Sequence, residues 1–178
     1  MPPSDVGVPR PDMADDGSLL LTGDWTRDNT QVCTTGHIVN FASDGSIRYT
    51  VPWRTVARSF TNSCHPFGGA ALSAGHSVVG YELDGQVHLA WINRGGRVEA
   101  RTSLLTSVGW EANLKGDLAA TAGDGVAVAF TETSPCDAAN PFLRCSRIKI
   151  YAATKSGIVE RQELQGDGRL SSGSRRVR

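Results

Sequence analysis

The stretch from Ala74 to Leu104 reads as short strands in succession, and similar stretches lie on both sides of it. Val78-Val79-Gly80-Tyr81-Glu82-Leu83 runs into Asp84-Gly85; Gln86 to Ile92 follows, then the turn Asn93-Arg94-Gly95-Gly96, then Arg97 to Leu104. Strong β formers bounded by Asp-Gly and Gly-Gly turns mark consecutive hairpins. The later half of this unit can be laid over Gly36 to Ile47 and over Arg147 to Ile158, which aligns the turn glycines Gly45, Gly96 and Gly157. With an insert around Cys136 to Cys145 set aside, the period is roughly 50 residues, the length of a supersecondary repeat. A second register agrees: Ala74-Gly75 and Ala122-Gly123 each follow a small-residue run, Gly69 to Ser73 and Leu118 to Thr121. No window of a dozen residues sustains apolar recurrence at helical spacing, so the reading is all-β.

The segment 1–17 has four prolines and four acids with almost no apolar side chain, and is expected to be disordered. The repeats then occupy 18–164 as units of about 18–52, 69–104 and 117–164, the first of them lacking its inner strand. The tail 165–178, Gly/Ser-rich with Arg169, Arg175, Arg176 and Arg178, is expected to be disordered and basic.

Eighteen Lys and Arg balance eighteen Asp and Glu, which argues against nucleic acid or an anionic membrane as the main partner. This chain shows neither a run of 18 apolar residues nor a recognisable signal peptide. Four cysteines point instead to an oxidising, extracellular or periplasmic location. Cys136 and Cys145 bracket a polar, Pro-containing loop that a disulfide would close; Cys33 and Cys64 would form the second pair, although four cysteines allow three pairings. Export without a leader leads us to expect that the chain is part of a longer protein, or that Met1 is not its natural start.

Four-stranded units of this length, with a small-residue inner strand and a more polar outer strand, resemble the blades of a β-propeller. Ala42-Ser43-Asp44-Gly45-Ser46-Ile47-Arg48-Tyr49 is similar to the Ser-Asp-Gly-Thr-Ile-Arg run of WD-type blades, and Gly36-His37 and Gly75-His76 to their Gly-His pair. No Trp-Asp closes a unit and no strict Asp-box occurs, so the chain is not placed among WD40, kelch or sialidase-type propellers. The resemblance implies an incomplete β-propeller of four-stranded antiparallel blades, the alternative being a β-sandwich of about eleven strands. As an open arc it would expose apolar blade sides, through Phe41 and Ile47 at one end and Val128, Phe130, Ile150 and Ile158 at the other. Blade topology also sends the long segments 26–36, 52–69, 105–117 and 133–146, with all four cysteines, to one side.

On that side lie the candidate ligand-binding residues Trp53, Arg54, Arg58, Asn62, His65, Trp110, Asn113 and Arg144, with Phe60 and Phe142 among them. Trp and Arg anchor interfaces and stack on sugars, while Trp53 and Trp110 would equally serve to plug joints between blades. Asp24, Glu82, Asp84, Glu111 and Asp117 offer carboxylates for glycoside chemistry, but their spacing selects no pair. Asp-Gly at 16, 44, 84, 124 and 167 reads as turn chemistry and not as calcium loops. His88, between Val87 and Leu89, reads as a packing residue. No catalytic set, metal site or cofactor is expected. The leading expectation is a non-catalytic recognition module binding a protein or glycan, completed by self-association or further blades. The alternatives are a fragment of a propeller hydrolase or lyase, and a scaffold or truncated gene remnant.

Overall fold

The computed structural model describes residues 10–23, 26–27, 33–57, 66–83, 86–104, 111–137, 140–165 and 170–171. Three antiparallel sheets follow one another along the chain, each built from consecutive segments, and they do not close on themselves. Sheet I holds β1 (Arg10–Met13), β2 (Leu19–Thr22), β5 (His37–Phe41) and β6 (Ile47–Pro52), in that order; a small separate ribbon, β3 (Thr26–Arg27) with β4 (Cys33–Thr35), lies in the β2–β5 connection. The short helix α1 (Trp53–Ala57) then leads away from it. Sheet II holds β7 (Gly68–Ala71), β8 (Ser77–Leu83), β9 (Gln86–Ile92) and β10 (Val98–Leu104). Sheet III holds β11 (Glu111–Thr121), β12 (Gly125–Asp137), β13 (Asn140–Thr154) and β14 (Gly157–Gln165), with the two-residue β15 (Leu170–Ser171) added at its edge.

Sheet I is therefore a full four-stranded unit, which corrects the expectation that it lacks its inner strand. Arg10–Met13 pairs with β2 through Arg10↔Thr22 and Met13↔Leu19. The turn between them is held by Asp16, whose Oδ1 accepts from the N–H and hydroxyl of Ser18 at 2.9 and 2.5 Å. Asp44 does the same for Ser46, at 2.9 and 2.6 Å. These serine hydrogen bonds hold both aspartates below the usual carboxylate range. Gly17 and Gly45 follow at φ +77° and +83°, a conformation other residues resist. The Asp-Gly-Ser triplet is thus the same turn used twice. Leu170–Ser171 likewise departs from the disordered tail that composition implies.

Period-two alternation makes sheet II the centre of the molecule, because both of its faces are apolar. One face sends Val79, Tyr81, Ala90 and Ile92 against Leu20, Ile38, Tyr49 and Val51 of sheet I. The other sends Val78, Leu89, Trp91 and Leu104 against Val126, Val128, Phe130 and Tyr151 of sheet III. Val128 and Phe130 are therefore core residues, 1% exposed each. The expectation that they lie on an open end fails by one residue of alternation. The free face of sheet III carries instead their neighbours Ala127, Ala129, Ile148 and Ile150.

Small residues set the spacing where the sheets converge. A Cβ on Gly80 would fall 2.4 Å from the Phe67 ring and 2.7 Å from Leu118. The inner strand β7 packs beside both β1 and β11. The first strands of the three sheets thus come together, with β7 lying against both of the others.

The insert near the cysteines is an extension of the ladder. Beyond Glu111↔Thr133 and Arg147↔Gln165, β12 and β13 continue alone through Ser134↔Cys145 and Asp137↔Asn140. A lone two-stranded ribbon is marginal in water. The Cys136–Cys145 disulfide, with Cα atoms 4.9 Å apart, ties this arm across its width. The Cys33–Cys64 pairing lies outside the described residues. Replacing both Cys136 and Cys145 by Ser is expected to remove up to about 2–3 kcal/mol. The loss concentrates in the arm, read as faster amide exchange over 134–146 with sheets I and II unchanged.

Polar side chains are also buried in the joint between sheets I and II, and one of them, Ser77, pairs with the Tyr49 hydroxyl at 2.6 Å. Asn40 is fully buried, and among the described residues neither its Oδ1 nor its Nδ2 has a hydrogen-bond partner. An unpaired buried amide costs about 1–3 kcal/mol. Asn40→Leu, of similar size, is expected to raise the thermal midpoint by several degrees; an unchanged or lower midpoint counts against an unpaired amide.

Candidate functional site

The first strand of a sheet leaves one edge without a strand partner, and side chains must answer its backbone groups. The free edge of β7 is met by β1. Arg10 Nη1 donates to the Phe67 carbonyl at 2.6 Å, and the Ala71 N–H donates to Asp12 Oδ2 at 2.7 Å. Since Ala71 turns its N–H to this edge, alternation turns the backbone of Gly69 the same way. From the other side β11 contributes Asp117, whose Oδ1 accepts from the Leu118 N–H at 2.9 Å. Gly68 is confined here: a Cβ on it would sit 3.0 Å from Asp117 Oδ1.

The result is a cleft of about 350 Å³ lined by Arg10, Pro11, Asp12, Gly68, Gly69, Asp117 and Leu118. It lies where β1 and β7 begin, on the side of the long connections. One guanidinium, two carboxylates and the edge of β7 give it a polar lining, of a chemistry suited to a cation, a hydrogen-bonding amide or a hydroxyl. A second axial cleft, about 470 Å³, opens at the opposite end near Met13, Ser73, Ala122 and Asp124. Asp15 also lines it, and Ser73 Oγ donates to Asp124 at 2.9 Å. The first cleft carries charges of both signs, Arg10 beside Asp12 and Asp117, whereas the second is lined by the carboxylates Asp15 and Asp124 without a cation, so the first is the stronger candidate for a ligand with both donors and acceptors.

The residues expected from sequence are dispersed. Trp53 is 3% exposed and fills the joint between sheets I and II, edge-on to Tyr81 at 5.9 Å. Burial corrects its assignment to a ligand surface, because α1 turns it inward. Arg54 is exposed on the same helix. Arg144 stands on the β12–β13 arm, donating to Thr133 Oγ1 at 3.1 Å. Asn113 lies on β11 opposite Thr131, on the strand that also carries Asp117. Arg58, Asn62, His65 and Trp110 lie outside the described residues. His88 packs, as its neighbours imply, stacked on Tyr81 at 5.3 Å with Nδ1 3.0 Å from the Ser103 hydroxyl.

Arg10 and Asp12 escape a reading that treats the proline-rich start as disordered. Their signal is the Asp16-Gly17 turn before Leu19-Leu20-Leu21, which demands a strand on its other side. Among the described residues no group of three or more His, Cys, Asp and Glu is placed to hold a metal ion. No helix among them is long and apolar enough to cross a membrane.

The chain matches no protein-family model, and no curated protein matches it either. Function must therefore be argued from the site itself.

Proposed function

We propose that this protein is a non-catalytic recognition module, an arc of three propeller-like blades that engages a protein or glycan ligand on its long-connection side. The observation that carries this reading is the convergence of three inner strands on one polar cleft, with Arg10, Asp12 and Asp117 at its rim. Ligand sites favour such convergence, where several elements place a few polar groups around one concavity. The Cys136–Cys145 bond supports an exported, extracellular setting. Further blades or a second chain would complete the ring.

A hydrolase or lyase is the competing reading, favoured by the presence of Asp12 and Asp117 in one cleft. Peptide and glycan arrays probed with the oxidised full chain separate the two. Binding that falls at least tenfold in both Arg10→Ala and Asp117→Asn supports recognition at the cleft. Binding indifferent to both variants sinks that assignment. Turnover of a bound ligand that Asp117→Asn abolishes favours the enzyme.

A further inference from the structure

The outward face of sheet I carries an apolar row across all four strands, with Thr50 of β6 the polar member of the row beside it. Met13↔Leu19↔Phe41↔Ile47 form one continuous row, and Leu21↔Val39 the next. Met13 and Ile47 are 70% and 61% exposed. Register shows what this face is. Each outer hairpin carries a bulge at the same place, Phe41 opposite Ile47 in sheet I and Ile92 opposite Val98 in sheet II. Leu21↔Val39 likewise corresponds to Val79↔Ala90. In sheet II those positions are the ones packed on sheet I. The open face of sheet I is thus the blade side that receives a preceding sheet.

Sheet III presents the converse. Its hairpin bulge sets Ala153 opposite Ile158, so Ala127, Ala152 and Ile150 take the positions of Val78, Trp91 and Leu89. In sheet II those three pack on the sheet that follows. The outward face of sheet III is therefore the side that receives a following sheet, and its middle is shallow: Ala127, Ala129 and Ala152 surround Ile148 and Ile150, with Glu160 and Gln162 beside them on β14.

We infer that the partner is a second copy of this chain, docked head to tail so that sheet III of each copy packs on sheet I of the other. The inference rests on the propeller-like reading of the three sheets. The bulky row on sheet I meets the alanine-lined face of sheet III, large against small, as close packing requires. Two copies then make six sheets, within the four to eight blades of closed propellers. The two new joints are identical and related by a two-fold axis, so the assembly stops at two.

Light scattering on the size-exclusion eluate of the oxidised full chain tests it. The expected species is a discrete dimer of twice 18.9 kDa. Val39→Arg on sheet I and Ala129→Arg on sheet III should each give monomers that retain a cooperative thermal transition. Mixing the two should restore a dimer, since one joint between unlike copies is undamaged. Should either variant fail to fold, Leu21→Glu and Ala152→Glu probe the same faces. A wild-type monomer at micromolar concentration, an open-ended series of oligomers, or a dimer broken by the sheet I variants alone overturns the proposal. Array binding at the cleft is read independently, so a monomer that still binds its ligand removes only the dimer.

Discussion

Lys149→Met is expected to destabilise the fold by about 3–5 kcal/mol, the cost of breaking a buried charge network from one side. Lys149 and Glu132 are fully buried on the face of sheet III that continues the Val126, Val128 and Phe130 row. Arg147 bridges Glu132 at 2.8 Å and Glu163 at 2.9 Å, while Lys149 hydrogen-bonds Glu163 and stands 3.9 Å from Glu132. Among the described residues three cations surround the two carboxylates, since Arg161, exposed at the rim, stands 3.9 Å from Glu163. Methionine keeps the volume but removes the one cation that is fully buried with Glu132. Lys149→Met combined with Glu163→Gln removes one charge of each sign and should recover more than half of the loss. Burial alone would raise the Glu163 carboxyl, but the hydrogen bond and charge of Lys149, with Arg147, hold it below the usual glutamate range. A depressed folded-state pKa gives stability that is full above the unfolded-state value of about 4.3. That stability is lost as pH falls through the lower folded-state value. Denaturant titrations from neutral to acidic pH should therefore show this loss in the wild type and a shallower one in Glu163→Gln. Equal slopes would count against the network.

Trp53→Ala carries the second large effect, about 3–5 kcal/mol for emptying a core aromatic site. Trp53 lies edge-on to Tyr81, itself stacked on His88, so its removal opens the joint between sheets I and II. For a domain of this size the thermal midpoint should fall by about 6–20 °C. Arg54→Ala, one residue away but exposed, should leave it nearly unchanged. A Trp53→Ala variant of full stability that had lost ligand binding would return Trp53 to the recognition surface.

Turn chemistry and strand alternation made sheets II and III readable from the residues. Asn93 illustrates why: its side chain accepts from the N–H groups of Gly95 and Arg97, each at 3.0 Å, so a local pattern fixes a local turn. The inner strand of sheet I was hidden because Arg10-Pro11-Asp12-Met13 has no apolar alternation. It is held by Asp12 and Arg10 reaching a strand more than fifty residues away in sequence. The cleft was hidden for the same reason, since its rim comes from three sheets. Trp53 stayed open between ligand anchor and joint plug because residue type alone does not reveal that a five-residue helix turns it inward. Which apolar residues close a joint and which face outward depends on parity, and parity in sheet III was misjudged at Val128, Phe130 and Ile158, the last of which packs against the core beside Ala153.

The stacking of three sheets, with sheet II buried on both faces, underlies the cleft, the apolar ends and the joints alike. Native-state amide hydrogen exchange tests it most directly, because core strands open only with the whole domain. The account predicts that Val78 to Gly80 in β8 and Leu89 to Trp91 in β9 exchange slowest, at the free energy of global unfolding. Amides of β6 and β14, in the outer strands of sheets I and III, should exchange faster. Exchange in β8 and β9 as rapid as in those outer strands would contradict a central sheet packed on both sides.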